Sequence, residues 1–193
     1  MYLVDANILI DAKNRFYAFD IAPGFWAWLD QVHRNEQVMS IDAVRDELLA
    51  GDDELADWAR ARRDFFLPAD QLTVQNFAPL STWAASQYYK PAALREFTSD
   101  QADFVLIAHA AGHGDIVVTH EQPSPDSRKK IKIPDACAAV GVETADIFTV
   151  LRRTGAILQL RGEGEGERPE DQVAPTIPGL DRSPAPLPPS IGN

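Results

Sequence analysis

Short apolar runs alternate with longer stretches of helical spacing over most of this chain, the pattern of strands joined by crossover helices in a parallel sheet. Tyr2 to Val4 reads as a short buried strand and Gln37 to Ile41 as a second. Asp115 to Thr119, with its Ile-Val-Val centre, is the clearest strand, and Ile131 to Ile133 is a candidate fourth. Between the first two, Pro23 opens a helix in which Phe25, Leu29 and Val32 fall at i, i+4 and i+7 and make one apolar face. Trp26 and Trp28 on that helix read as packing residues rather than as platforms for bases. Asp42 is placed to cap a helix running through Val44 and Leu48 to Gly51, and another helix starts near Asp52. Ser99 is placed to cap a helix whose stripe of Ala102, Val105, Leu106 and Ala110 ends where Gly112 and Gly114 break it.

From Arg161 to Asn193 the pattern changes: this segment holds half of the 14 prolines, opens on alternating Gly and Glu, and contains no aromatic residue. It reads as a disordered tail, so residues 1–160 are expected to form one domain and 161–193 a solvated arm. A chain of 193 residues with 45% hydrophobic content supports one core and one site. One cysteine allows no intramolecular disulfide, the start of the chain has no signal-peptide pattern, and no apolar run approaches the roughly 20 residues of a membrane span. A cytoplasmic protein without a membrane partner is the expectation.

The net charge of -11 argues against a broad basic surface that holds nucleic acid by phosphate contacts alone, so the positions of the acids matter more than their number. Asp5 follows the first strand directly. In parallel α/β sheets that is where ligand crevices open, although an aspartate there also caps the next helix. Glu47 on the helix after the second strand, Asp103 on the helix before the Ile-Val-Val strand, and Glu121 just after it fall at equivalent topological places, with Asp100 one turn before Asp103. Gathering carboxylates is unfavourable, about 4 kcal/mol for two unit charges 4 Å apart at an effective dielectric of 20, and a cation reverses that sign. An all-oxygen donor set selects a hard ion, Mg²⁺ or Mn²⁺, and the matching chemistry is phosphodiester hydrolysis without a protein nucleophile. Asn7 and Thr119 are suited to orienting a carboxylate or a metal-bound water. Lys13, Arg15, His120 and the run Arg128, Lys129, Lys130 and Lys132 are local candidates for RNA contact. His33, His109 and His113 carry no reading, and Cys137 reads as part of a buried helix turn.

The segments "YLVDANILID", "VRDELLAG", "DQADFVLIAHA" and "DIVVTHE" resemble, in order and spacing, the motifs of PIN domains, including VapC-type toxins. The resemblance covers residues 1 to 150. "DAKNRFYAFDIAPGFWAWL" and "VVTHEQP…KKIKIPDACAAVGV" are further similar to a prokaryotic PIN-like subfamily of inferred toxin function. The resemblance implies a three-layer α/β/α sandwich with a short, mostly parallel sheet. It also implies a Mg²⁺- or Mn²⁺-dependent endoribonuclease site and an antitoxin protein that neutralises it, and it leaves room for a homodimer. Asp5, Glu47 and Asp103 match the three core acids, and Glu121 stands where many members have Asp.

Two rivals remain, and a third reading fails. A phosphatase of the haloacid-dehalogenase type also opens on a strand-end aspartate nucleophile, but it wants a second Asp where this chain has Asn7. A catalytically inactive PIN-like module would bind protein or RNA and use the acids as caps and surface charge. A dinucleotide-binding fold lacks its Gly-rich turn after the first strand.

Overall fold

The computed structural model describes residues 1–99 and 101–159, with the side chain of Gln101 left out; Asp100 and the expected tail from Arg161 lie outside the described residues. Met1–Gln159 form one compact unit. Five short strands, β1 (Tyr2–Val4), β2 (Val38–Ile41), β3 (Phe66–Leu67), β4 (Ile116–Val118) and β5 (Thr144–Ala145), make one sheet in the order β3-β2-β1-β4-β5. All four pairings are parallel: Leu3 lies opposite Met39 on one side and Val117 on the other, Ile41 pairs with Leu67, and Val118 with Ala145. Helices flank this sheet in an α/β sandwich, as parallel strands require.

The chain builds outward from β1 to β2 and β3, then returns to the other side of β1 to lay down β4 and β5. Strand order therefore reverses between β1 and β4. In open α/β sheets, ligands bind beyond the carboxyl ends of the strands at such a switch point. Leu3, Val4, Val117 and Val118 have no exposed surface, so the two central strands are fixed by apolar contacts on both faces and their ends are held rigidly.

The crossovers are helical for local reasons. Pro23 sits at the first position of α2 (Pro23–Arg34), where its missing N–H costs nothing, and the helix buries Phe25, Leu29 and Val32 together with both tryptophans. Trp26 donates to the Tyr17 carbonyl at 2.7 Å and Trp28 to the Thr154 hydroxyl at 3.0 Å, which satisfies their N–H groups inside the core. Helix α3 (Asp42–Leu49) follows β2 without a break; Asp42 lies in its first turn and Ile41 is the cap position, so no side chain caps it. Asp53 caps α4 (Glu54–Ala61) by accepting from the amides of Leu55 and Ala56.

Three further expectations are corrected. Ile131 to Ile133 is not a strand. Pro134 stands in the first turn of α9 (Ile133–Ala139), Ile133 is the buried residue that opens this helix, and Ile131 is a buried anchor of the loop that leads into it. Ser99 does not open the helix that carries Asp103; it ends α7 (Pro91–Ser99), where its hydroxyl donates back to the Arg95 carbonyl. Gly112 does not break α8 (Gln101–His113), whose end comes at Gly114 with φ of 69°. Gly112 is there for space: a Cβ would stand 2.9 Å from the carbonyl carbon and oxygen of Leu72 in the small helix α5 (Gln71–Gln75). Strands β3 and β5, two residues each, are too short to leave a pattern in the sequence. Among the described residues no helix is long and apolar enough to cross a membrane.

Candidate metal centre at the sheet switch point

Asp5 leaves the end of β1 and caps α1 (Ala6–Asp11), its Oδ1 accepting the Ile8 amide at 3.0 Å. The side chain is 1% exposed, and its Oδ2 is buried with no hydrogen-bond donor among the described residues. Burial raises the Asp5 pKa above the ordinary carboxylate value; the Thr119 hydroxyl and the amides of Ile8 and Asn7 pull the other way, and the charge of Glu121 adds to the rise. Asn7 reaches Asp5 through its backbone, and its side chain is exposed.

Thr119 and Glu121 come from the turn after β4, the strand beside β1. The Thr119 hydroxyl accepts the Glu121 amide at 3.1 Å, which shapes that turn beside Asp5. Glu121 in turn receives Lys132 Nζ at 2.8 Å and Lys130 Nζ at 3.2 Å on Oε1, and the Ile133 amide at 2.8 Å on Oε2. Burial works against its ionisation, but the Lys132, Ile133 and Lys130 donors together hold its pKa below the ordinary value. Asp135 steadies the same loop by accepting the Ser124 amide on both oxygens, at 3.1 and 2.9 Å.

Lys130 links this turn to α8. Burial lowers its pKa, but Glu121, Asp103 and Glu96 outweigh that and raise it. Glu96, Asp103 and Lys130 also line one small pocket with Ala93, Phe97 and Ile131. Glu47 lines a groove between α3 and α8 with Asp42, Asp46, Ser99 and Ala102, the last being the residue before Asp103. Asp5, Thr119 and Glu121 thus meet at the strand ends; Asp103 shares a pocket with Lys130, and Glu47 lines a different groove, between α3 and α8. The charge of Asp103 also contributes, after burial, to pushing the Cys137 thiol up to about 12, so that cysteine is inert at neutral pH.

The cations foreseen for RNA stand in different states. Lys13 is paired with Asp53 at 2.8 Å, and Arg15 with Asp11 at 3.2 Å across one helical turn. The Arg128 guanidinium lies 5.6 Å from the centre of the Tyr88 ring, Lys129 is exposed, and His120 meets Phe16 edge to face at 6.0 Å. Lys130 and Lys132 face the acids.

The chain matches, over residues 2–158, the family described as Domain of unknown function (DUF4411). It belongs to the DUF4411 family. No curated protein matches it. Among solved structures, this DUF4411 chain is similar to FitAcB from Neisseria gonorrhoeae, with 20% identity, 75% of this chain and 96% of that one covered, and a TM-score of 0.46. It is similar also to VapBC2 from Rickettsia felis bound to a DNA fragment from their promoter, with 13% identity, coverage of 75% and 97%, and a TM-score of 0.48.

One cluster escaped the reading of the sequence. Asp70, His109 and His113 each offer an atom within 4.8 Å of the others. The four-residue spacing of the histidines on α8 was visible, but nothing in the sequence indicated that Asp70 packs against them.

Proposed function

We propose that this DUF4411 chain is a divalent-metal-dependent endoribonuclease of the PIN type and the toxin of a toxin–antitoxin pair. The observation that carries the reading is the Asp5 carboxylate: a buried oxygen without a donor, at the switch point of a parallel sheet, is costly unless a cation completes it. The donor set fits Mg²⁺ or Mn²⁺, since the four acids supply only oxygen. Asp5, Glu47, Asp103 and Glu121 would hold the ion, and when bound it supplies an activated water and charge stabilisation at the phosphate.

The protein's own groups prepare that site. Thr119 sits against Asp5 and fixes the Glu121 backbone, while Lys130 and Lys132 set the direction of the Glu121 carboxylate. Arg128, Lys129 and His120 are the groups proposed to meet the RNA backbone, with Arg15 as a further contact once it leaves its weak surface pair. The antitoxin partner is proposed on the resemblance of the sequence to VapC-type toxins.

A second reading has its own observation. Glu121 already accepts from two ammonium groups and an amide, so a non-catalytic module could balance its acids internally. Incubation of the purified full chain with structured and single-stranded RNAs, in Mn²⁺ and in EDTA, separates the two. Cleavage that requires Mn²⁺ and is lost in Asp5→Asn supports the nuclease. Intact RNA under all conditions, with no rise in Tm on adding Mn²⁺, supports the module.

A further inference from the structure

The far end of α8 carries a second set of ligand-type side chains, unrelated to the acidic site. His109 and His113 are one helical turn apart, and their rings stack with centroids 4.4 Å apart. Asp70 caps α5 and faces them, because Gly112 lets the Leu72 backbone come against α8. His109 and His113 follow Asp103 by six and ten residues on one helix, about 9 and 15 Å along its axis, so this cluster lies toward the opposite end of α8 from that acid.

The hydrogen bonds around the cluster assign the protons. Thr73 donates its hydroxyl proton to Asp70 Oδ1 at 2.8 Å, so at 3.0 Å it accepts from His109 Nδ1–H. That leaves the lone pair on His109 Nε2, the tautomer a metal needs, fixed through the other ring nitrogen by a residue that is itself held. Burial, followed by the charge of His113, keeps the His109 pKa below its ordinary value. Asp70 divides its oxygens: Oδ1 accepts the Thr73 amide at 2.9 Å as a helix cap, and Oδ2 accepts from His113 Nε2–H at 3.1 Å, a proton that a metal would displace. That separation is close to the about 3.3 Å edge of a tetrahedron with bonds of about 2.0 Å.

We propose that Asp70, His109 and His113 form a site for a borderline transition-metal ion of the Zn²⁺ type, which clasps α5 to α8. Two imidazole nitrogens and one carboxylate oxygen are a zinc-type donor set, unlike the all-carboxylate site beside Asp5. His113 and Asp70 are partly exposed, so the fourth position is open to water.

The test uses the metal-stripped full chain titrated with Zn²⁺ by calorimetry, and with Co²⁺ followed by its visible absorption as a reporter of four-coordination. His113→Ala and Asp70→Asn are compared with Asp5→Asn/Asp103→Asn, each first shown to be folded in EDTA by circular dichroism. The proposal expects a four-coordinate Co²⁺ spectrum and a single Zn²⁺ site that survive in Asp5→Asn/Asp103→Asn. Zn²⁺ affinity should fall by more than about 100-fold in His113→Ala and by about 10–100-fold in Thr73→Val, which removes only the orienting hydroxyl. Zn²⁺ binding that is absent from the wild type, unchanged in His113→Ala, or abolished by Asp5→Asn/Asp103→Asn would overturn it.

Discussion

Asp5 caps helix α1 with one oxygen only: its Oδ1 accepts the Ile8 amide at 3.0 Å, while Oδ2 is buried without a donor among the described residues. Capping and metal binding are therefore not competing explanations of this residue. The cap fixes the carboxylate with its second oxygen uncapped, on a side chain that the Thr119 hydroxyl also sits against.

The cost of that arrangement is measurable. The folded-state pKa of Asp5 is raised, chiefly by burial, so the contribution of its protonated form to stability is full below about 3.8 and is lost as pH rises through the folded-state value. Asp5→Asn keeps a capping side chain and removes the charge. In EDTA at neutral pH it is expected to raise Tm by about 2–4 °C, on the order of 1 kcal/mol, with the gain vanishing in acid. Adding Mn²⁺ should raise Tm of the wild type and leave the variant unmoved. Differential scanning calorimetry at several pH values checks each part.

Glu121 carries the opposite sign. Burial opposes its ionisation, but the Lys132, Ile133 and Lys130 donors bring its folded-state pKa below 4.5, so the pairing stabilises the fold above that value and is lost as pH falls through the folded-state pKa. Because both lysines are substantially solvated, Lys130→Met/Lys132→Met is expected to cost only about 1 kcal/mol at pH 7. The gap from wild type should narrow below pH 4.5. Urea melts at pH 7 and in acid measure that difference; a gap that widens in acid would reject this account of the turn.

Replacing a helical glycine with alanine ordinarily stabilises a helix by roughly 0.5–1 kcal/mol. At Gly112 the reverse is expected. The new Cβ would sit 2.9 Å from Leu72 backbone atoms, which cannot swing away as a side-chain end can, so Gly112→Ala should lose about 1–3 kcal/mol in chemical denaturation.

What could be read in advance depended on the range over which each signal acts. The Ile-Val-Val strand and the i, i+4, i+7 face of Phe25, Leu29 and Val32 are local patterns, and the structure reproduces both. Gly112 was misread because a glycine within a helix looks the same whether it ends the helix or admits a neighbouring backbone, and the neighbour, Leu72, lies 40 positions away. Ile131 is apolar because it anchors a loop and Ile133 because it buries the start of α9, and Pro134 in the next position was the signal that a helix begins there. At the candidate site, the place of Asp5 at the end of a strand was legible. That Lys130 and Lys132 turn back onto Glu121 was not, because the sequence records their charge but not the direction of the loop that carries them.

The proposed nuclease needs the carboxylates at the β1–β4 switch point to serve a metal-dependent cut in RNA. The most direct test is single-turnover cleavage of labelled RNA by full-length wild type and by Asp103→Asn, in Mn²⁺ and in EDTA, with both proteins shown to be equally folded. Cleavage by the wild type in Mn²⁺ only is expected, with a rate lower by more than about 100-fold in the variant, beyond what loss of an orienting contact causes. Equal cleavage by the two proteins, or cleavage that persists in EDTA, would contradict it.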